Sequence, residues 1–513
     1  MQQSPAVSSG MTWRVPMRGV DALRGPRVLP WWLLAGGVGL AAAGLYAGTV
    51  SPAWSWMDDW LLLHVGRCFS NVASGQGVLG ECLRDPVAGR IRPGMFVYDA
   101  ATFLLFGTNA VAHQLFRLVL LVLITLGVGG TAWRWTQNRV SVVIATVLFA
   151  FLPLGAGHWD RLGSTDVPAM VLFVWAVFLA SGQPTPRGVW GSVALATAAA
   201  LTKEPLALMN LGLAAFLWMR GAEGGRMRLA ALALLGVSVV TLGSGLAYNL
   251  AEDGSVLQQT RALLLMPHVA GQLATLSTGL FLPAFLLLCV VMLAEVVGYR
   301  GDPWTDFPWA PLALALVAAL GAWGSVLVTP EPQTRDALLG MLPAVWIPAL
   351  LWPMLPAHHT ASRVIASFVV IHFAAAALLT LPDTAVREAE WHMTRQLARL
   401  PPGTRVGVVE VTDVDRPRAL AGSVTLSSGG LVQPWTLASD VVMVMARTSD
   451  VRKEWLKRCG GPAFFHTVVT ENVFTARAAL VRAEPVEHVH EMGIWWLSSA
   501  RRCDAVPVAV GAR

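Results

Sequence analysis

The sequence predicts an α-helical polytopic membrane protein with a small α/β domain at its C-terminal end. Three observations carry this. Of 513 residues, 55% are hydrophobic and only 13% charged, with a mean hydropathy of +0.57, a balance that soluble proteins rarely show. Several apolar runs reach or approach the roughly 20 residues needed to cross about 30 Å of hydrocarbon. The chain is basic, with a formal charge of +6, but most arginines sit between apolar runs, where they set topology and do not suggest nucleic acid.

A basic arm, residues 1–28, contains Arg14, Arg18, Arg24 and Arg27 and leads into the run Leu29–Val50. That run is long enough to be a retained anchor, not a cleaved signal. A long polar excursion, 51–109, follows. The next runs are Ala110–Ala132, Val140–Gly157, Val167–Ser181, Gly188–Leu201, Pro205–Met219 and Met227–Asn249, then Gln272–Val297, Pro308–Thr329, Leu338–Leu355 and Ser362–Leu381. With the first run they make about eleven transmembrane helices by the length criterion, in a membrane domain expected over 29–382. The tail, 383–513, is less hydrophobic. A helix-like "AVREAEWHMTRQLARL" precedes strand-like runs at 405–411, 440–446 and 464–470, the pattern of a small α/β domain.

Arginine placement orients the spans. The N-terminal arm, Arg134, Arg139, Arg187, Arg220, Arg226, Arg228, Arg300 and Arg363 fall on one side, expected to be cytoplasmic. The excursion with Asp58 and Asp59, "HWDRLGSTD" at 158–166, "TKEP" at 202–205, "EPQTRD" at 331–336 and the tail then fall on the outer, periplasmic side. The expected location is the cytoplasmic (inner) membrane, with the N-terminus inside. Cys68 and Cys82 share the first outer segment, Cys459 and Cys503 share the tail, and Cys289 lies in a span. Each outer pair is either a disulfide or two free thiols.

The polar clusters each admit two readings. Asp58 or Asp59 offers a general base at the membrane surface, or the pair caps the helix beginning at "WLLLHV". Arg90 and Arg92, in "GRIRPGMFVYDA", have the guanidinium geometry for phosphate, or are solvated loop residues. His113 and Arg117 share one helix face, with Arg117 about two turns in, where a charge needs a partner or a cavity unless it snorkels outward. His158, Asp160, Arg161 and Asp166 either surround a divalent cation or form a self-neutralising loop, Asp166 also standing where a helix cap would. Lys203 is the first lysine of the chain, and no other precedes residue 453. With Glu204 it lies between two apolar runs with almost no loop to solvate it. A compact ammonium there suits a phosphate, and the plain alternative is a snorkelling lysine. Glu331 and Arg335 open a late span. His488 and His490 in the tail are weak metal ligands at best, more plausible as a solvated strand edge. No G-x-x-x-x-G-K-[ST] or H-E-x-x-H motif is present, so neither ATP-driven pumping nor that zinc chemistry is indicated.

With these residues in place the chain resembles the GT-C class of membrane glycosyltransferases. It is most similar to protein O-mannosyltransferases and bacterial enzymes that take sugars from polyprenyl phosphate. The resemblance covers roughly the first 350 residues and rests on motif order. An acidic pair follows the first span (Asp58–Asp59), and a basic-Pro motif (Arg92–Pro93) precedes "FLLFGTNAVAHQL". An outer segment carries Arg161, Gly163 and Asp166, a Lys-Glu-Pro turn is Lys203–Glu204–Pro205, and Arg335 leads into a span with Pro343. The chain departs from the family in having Asp-Asp for Asp-Glu, Gly94 after the basic-Pro motif, and Asp336 after the late arginine.

The resemblance implies a GT-C-like fold and an inverting glycosyltransferase that moves a sugar from a polyprenyl-phosphate donor to a hydroxyl of a glycan, lipid or protein acceptor. Asp58 would be the base and Asp59 its partner. Arg92, Lys203 and Arg335 would hold the donor phosphate, with His158, Asp160, Arg161, Asp166 and Glu204 in support. Neither metal nor other cofactor is expected, because relatives using lipid monophosphates generally need none. The competing class is a transporter or lipid flippase without covalent chemistry. It is disfavoured because its charges would lie near the midplane and internal repeats would be visible.

Overall fold

The computed structural model describes residues 29–48, 50, 59–75, 82, 92–151, 165–221, 225–252, 281–299, 307–327, 337–355, 363–365 and 367–372, and five strands between 405 and 497. Helix occupies part of every run read as a span. The helices are α1 (Trp31–Ala47), α2 (Asp59–Ala73), α3 (Pro93–Phe106), α4 (Ala110–Thr136), α5 (Arg139–Ala150), α6 (Asp166–Ala180), α7 (Pro186–Thr202), α8 (Pro205–Arg220), α9 (Gly225–Glu252), α10 (Phe281–Tyr299), α11 (Trp309–Leu327), α12 (Ala337–Ala344) and α13 (Trp346–Leu351). Prolines open α3, α7 and α8, the one helical position where a missing N–H costs nothing.

Among the described residues, two helical stretches, Ala110–Thr136 and Gly225–Ser244, are each long and apolar enough to cross a membrane alone, and shorter apolar helices surround them. The surface has the polarity a bilayer demands. Leu40, Val97, Leu104, Leu105, Val239, Val240, Val290 and Leu320 point outward, while Asp99, His113, Gln114, Arg117 and Asn210 are buried. The protein is a helical polytopic membrane protein, apolar outside and selectively polar within.

Two details differ from the sequence reading. The excursion 51–109 contains two helices, α2 and α3, and α3 is itself apolar. At 14 residues it falls below the length that identifies a span, so hydropathy passes over it. The predicted run Leu338–Leu355 is broken at Val345 into α12 and α13, with Pro343 and Pro348 withholding backbone donors on either side.

The α4 helix is central. It packs against α1, α5 and α6, and the indole N–H of fully buried Trp346 donates to Val128 O of α4 at 3.2 Å. Trp135 of α4 meets Trp346 edge-on at 5.3 Å and Phe216 of α8 at 6.0 Å, so three helices share one aromatic node. The α8 and α11 helices approach at backbone distance. A Cβ on Gly212 would stand 2.7 Å from Leu314 O and Ala318 N, and one on Gly321 would stand 2.9 Å from Leu208 O. Small residues are how membrane helices gain close contact without a hydrophobic force between them.

In the C-terminal part, β1 (Arg405–Glu410), β2 (Leu431–Pro434), β3 (Val441–Ala446), β4 (Ala463–Val469) and β5 (Met492–Leu497) form one sheet in the order β2-β1-β3-β5-β4. The β1 strand pairs parallel with β2 and β3, and β5 pairs antiparallel with β3 and β4. Strands β1, β3 and β4 lie on the three strand-like runs read from the sequence. The helix-like run before them, His488, His490, Cys459 and Cys503 lie outside the described residues.

The glycine contact yields a test. Gly212→Ala should lower stability by about 1–3 kcal/mol through overpacking. Gly236→Ala, with nothing within 4 Å of the added carbon, should stay within about 0.5 kcal/mol of wild type. Thermal unfolding in detergent measures both.

Candidate active site

The site is built around a two-residue turn. The α7 helix ends at Thr202, whose hydroxyl donates to Ala198 O, and the Lys203 N–H donates to Ala199 O. Lys203 is extended (φ −150°, ψ 122°) and Pro205 opens α8, so the chain reverses with only two residues between helices. Their side chains reach different partners. Lys203 Nζ lies 3.1 Å from Asp166 Oδ1 at the first turn of α6. Glu204 Oε1 accepts from Arg92 Nε at 2.9 Å, at the start of α3. Four helix ends, of α3, α6, α7 and α8, are thereby held together.

Helix electrostatics agree with the charges. Lys203 caps the C-terminus of α7, the negative end, while Glu204 caps the N-terminus of α8 and Asp166 lies in the first turn of α6, both positive ends. These three charges sit where the dipole favours them, while Arg92, at the N-cap of α3, is a cation at a positive end and has Glu204 to offset it. The side chain of Asp166 is only 2% exposed and that of Arg92 11%, against 19% for Lys203 and 28% for Glu204. The pairs are therefore inside the protein but open on one side. Gly94 makes the α3 contact possible: a Cβ there would stand 2.3 Å from the Thr202 hydroxyl and 2.9 Å from its backbone nitrogen. The departure from the family motif at Gly94 is thus a packing requirement against α7.

The far end of α6 carries the opposite arrangement. Arg134 donates to Phe178 O and lies over the Phe178 ring at 3.5 Å, while Arg220 donates to Ala180 O at 2.7 Å and Gly182 O at 3.1 Å. These arginines cap a helix C-terminus. Since α6 has 15 residues, the arginine end and the Lys203 end lie about 22 Å apart along its axis.

Of the residues singled out from sequence, the structure brings together Arg92, Asp166, Lys203 and Glu204. Asp59 is the first residue of α2, and its side chain lies outside the description. Asp58, Arg90, His158, Asp160, Arg161, Glu331 and Arg335 lie outside the described residues. Cys68 and Cys82 form a disulfide with Cα atoms 5.6 Å apart, and Cys289 is a free thiol. Among the described residues no group of three or more His, Cys, Asp or Glu is placed to hold a metal ion.

Sequence reasoning missed Tyr98 and Asp99. Asp99 is buried on α3, and the Tyr98 ring stacks on that of Phe116 on α4 with centroids 6.5 Å apart. Arg117 does not snorkel: it is fully buried. The signal was the spacing, since Asp99 follows Arg92 by seven residues, two helical turns, on the stripe Met95, Phe96, Asp99 and Thr102 that α3 buries.

The fold is one of helices packed around a polar interior, with a basic and acidic cluster at one end. The chain aligns with known structures. ArnT from Cupriavidus metallidurans aligns over 93% of this chain and 99% of its own, at 12% identity, with TM-scores of 0.45 bound to undecaprenyl phosphate and 0.48 in the apo state. The Archaeoglobus fulgidus oligosaccharyltransferase, solved with zinc and sulfate, aligns over 83% of this chain and 69% of its own at 12% identity and a TM-score of 0.44. No family model and no curated relative matches the chain.

The Lys203–Asp166 pair can be tested directly. Lys203→Met should cost about 2 kcal/mol, below the roughly 3–5 kcal/mol for orphaning a buried charge, because Lys203 keeps partial solvent access. Adding Asp166→Asn should recover part of that loss, and a double-mutant cycle of melting in detergent reads the coupling.

Proposed function

We infer that the protein is an inverting glycosyltransferase that moves a sugar from a polyprenyl-phosphate donor to an acceptor hydroxyl at the outer face of the cytoplasmic membrane. The observation that carries this reading is the Lys203–Glu204 turn, which draws Arg92 and Asp166 to one end of the bundle. It joins two of the motifs that carry the family resemblance, the basic-Pro motif and the Lys-Glu-Pro turn, and adds the acid of a third.

Glu204 and Asp166 orient the two cations, and the donor phosphate adds to the basic groups from the open side. The acceptor oxygen attacks the anomeric carbon as the bond from that carbon to the phosphate oxygen breaks. The electron pair leaves with the polyprenyl phosphate, and the hydroxyl proton passes to Asp58, with Asp59 orienting the acceptor. Attack opposite the phosphate inverts the anomeric centre. Arg92, Lys203 and Arg335 stabilise the negative charge developing on the leaving phosphate, and fixed cations are effective there because they need no reorganisation during reaction. Apolar grooves between helices take the polyprenyl chain.

The orientation follows from charge and redox chemistry. Arg134 and Arg220 at the opposite end of α6 agree with a cytoplasmic face there. The Cys68–Cys82 bridge agrees with an oxidising compartment around the first outer segment. The sheet of the C-terminal part belongs to a periplasmic domain over 383–513, whose role includes contact with the acceptor.

Transfer measured in detergent, with a polyprenyl-phosphate sugar as donor, tests the reading and separates it from transport. Arg92→Ala and Lys203→Ala should each lower the rate about a hundredfold, and Asp58→Ala with Asp59→Ala should leave only background. Wild-type transfer by the folded double-aspartate variant overturns the assignment of the base.

A further inference from the structure

The arginine end of the bundle holds cations that helix capping does not use. Arg134 and Arg220 donate to carbonyls at the end of α6. Arg187, Arg226 and Arg228 are exposed, and among the described residues none of the three is paired with an acid. The fold brings them to one end: α7 begins at Pro186, α8 ends at Arg220 and α9 begins at Gly225, and α9 packs against both α7 and α8. The stretch 220–228 contains three arginines and one acid, Glu223. Arg228 has the most closely defined place. An added Cβ on Gly221 would stand 2.7 Å from Arg228 Cγ and 3.2 Å from its backbone nitrogen. Gly221 has ordinary helical angles (φ −71°, ψ −1°), so the glycine serves space, not backbone freedom. The guanidinium lies 5.6 Å from the centre of the Trp218 ring, within cation–π range. Trp218 and Trp190, the latter near the start of α7, are both exposed. Exposed indoles beside arginines mark the headgroup level of a bilayer.

From Arg228 one stripe runs along α9. Leu232, Leu235 and Val239 follow four, seven and eleven residues on, the spacing of a single helix face, and all three are exposed. Beside them Gly236 has nothing within 4 Å of where a Cβ would stand. Of the two long apolar helices, α9 is the less enclosed, so this face meets lipid. Arg228 to Val239 spans about 16 Å along the axis, close to half of the roughly 30 Å hydrocarbon thickness. A cation at the head of an apolar stripe one leaflet long matches an anionic headgroup and the acyl chain behind it. The first turn of α9 has no acid, so the helix dipole adds to its arginines. A zwitterionic headgroup would bring its own ammonium to the same cations and gain less.

We propose that Arg228, with Arg226 and Arg187, binds the headgroup phosphate of an anionic glycerophospholipid whose acyl chain lies along Leu232, Leu235 and Val239 of α9. The site is at the end of the bundle opposite Lys203 and does not depend on the glycosyl-transfer reading.

Binding of phosphatidylglycerol and phosphatidylcholine to the full-length protein in detergent, read by native mass spectrometry, decides it. Phosphatidylglycerol should bind about tenfold more tightly or better. Arg228→Gln should weaken its binding about fivefold, and Arg187→Gln, Arg226→Gln and Arg228→Gln together about a hundredfold. Gly221→Ala keeps every charge but displaces the Arg228 stem. It should weaken binding as much as Arg228→Gln does, and no further in the Arg228→Gln background. Arg363→Gln removes the same charge from an exposed position on another helix and should leave binding unchanged. Equal affinity for the two lipids overturns the proposal. So does a loss in Arg363→Gln that matches the loss in Arg228→Gln, since the attraction would then be one of net charge. Arg228-dependent binding of a polyprenyl monophosphate that phosphatidylglycerol fails to displace overturns it as well.

Discussion

The two-residue connection between α7 and α8 is the constraint on which the candidate site depends. With no loop to spare, Lys203 and Glu204 must leave the turn in different directions, and each is charged. Neither charge can reach bulk water freely, so each requires a partner from another helix. Those partners, Asp166 and Arg92, fix the starting points of α6 and α3. A longer loop would solvate both charges and release both helices. The tightness of the turn and the assembly of the site are one fact.

The protein handles its interior charges in three ways, matched to depth. At the far end of α6, Arg134 and Arg220 spend their donors on backbone carbonyls, which a helix C-terminus must satisfy in any case. At the Lys203 end, cations face carboxylates and retain partial access to solvent. On α4, Arg117 is wholly enclosed. An arginine suits that place because its guanidinium is less strongly hydrated than an ammonium. A lysine suits residue 203, where a compact charge must fit between helix ends.

Hydropathy made the helices legible because lipid demands a continuous apolar run, and helix lies within every run so identified. It did not reveal α3. That helix is too short to register, and its inward stripe carries Asp99 and Thr102, which dilute the apolar signal. The break at Val345 was equally hidden, since prolines alter the backbone without altering hydropathy. Within the site, the residues were legible and their partners were not. Lys203 and Glu204 stood out because charge between apolar runs is costly, but Arg92 lies 112 residues from Glu204, and nothing in either neighbourhood names the other. The motif order carried by the family resemblance grouped them; the ion pairs give the physical reason for the grouping. Gly94, a departure in sequence, became intelligible only once Thr202 was beside it.

The two ion pairs cancel as side-chain charges, which raises the question of what would draw a phosphate there. The answer lies in the helix ends. The N-termini of α3, α6 and α8 meet at this end, and each contributes roughly half a positive charge in its first turn. The α7 C-terminus offsets one of them. Proline at the first position of α3 and α8 removes one N–H from each without removing the dipole of the turns behind it. Asp166 and Glu204 therefore do not simply neutralise the site: they hold two cations still within a field that remains positive. An anion entering from the open side meets oriented charge and pays little to reorganise it. That is the condition under which electrostatics favours a transition state over a ground state. The same carboxylates that lower the net charge are what keep its remainder in place.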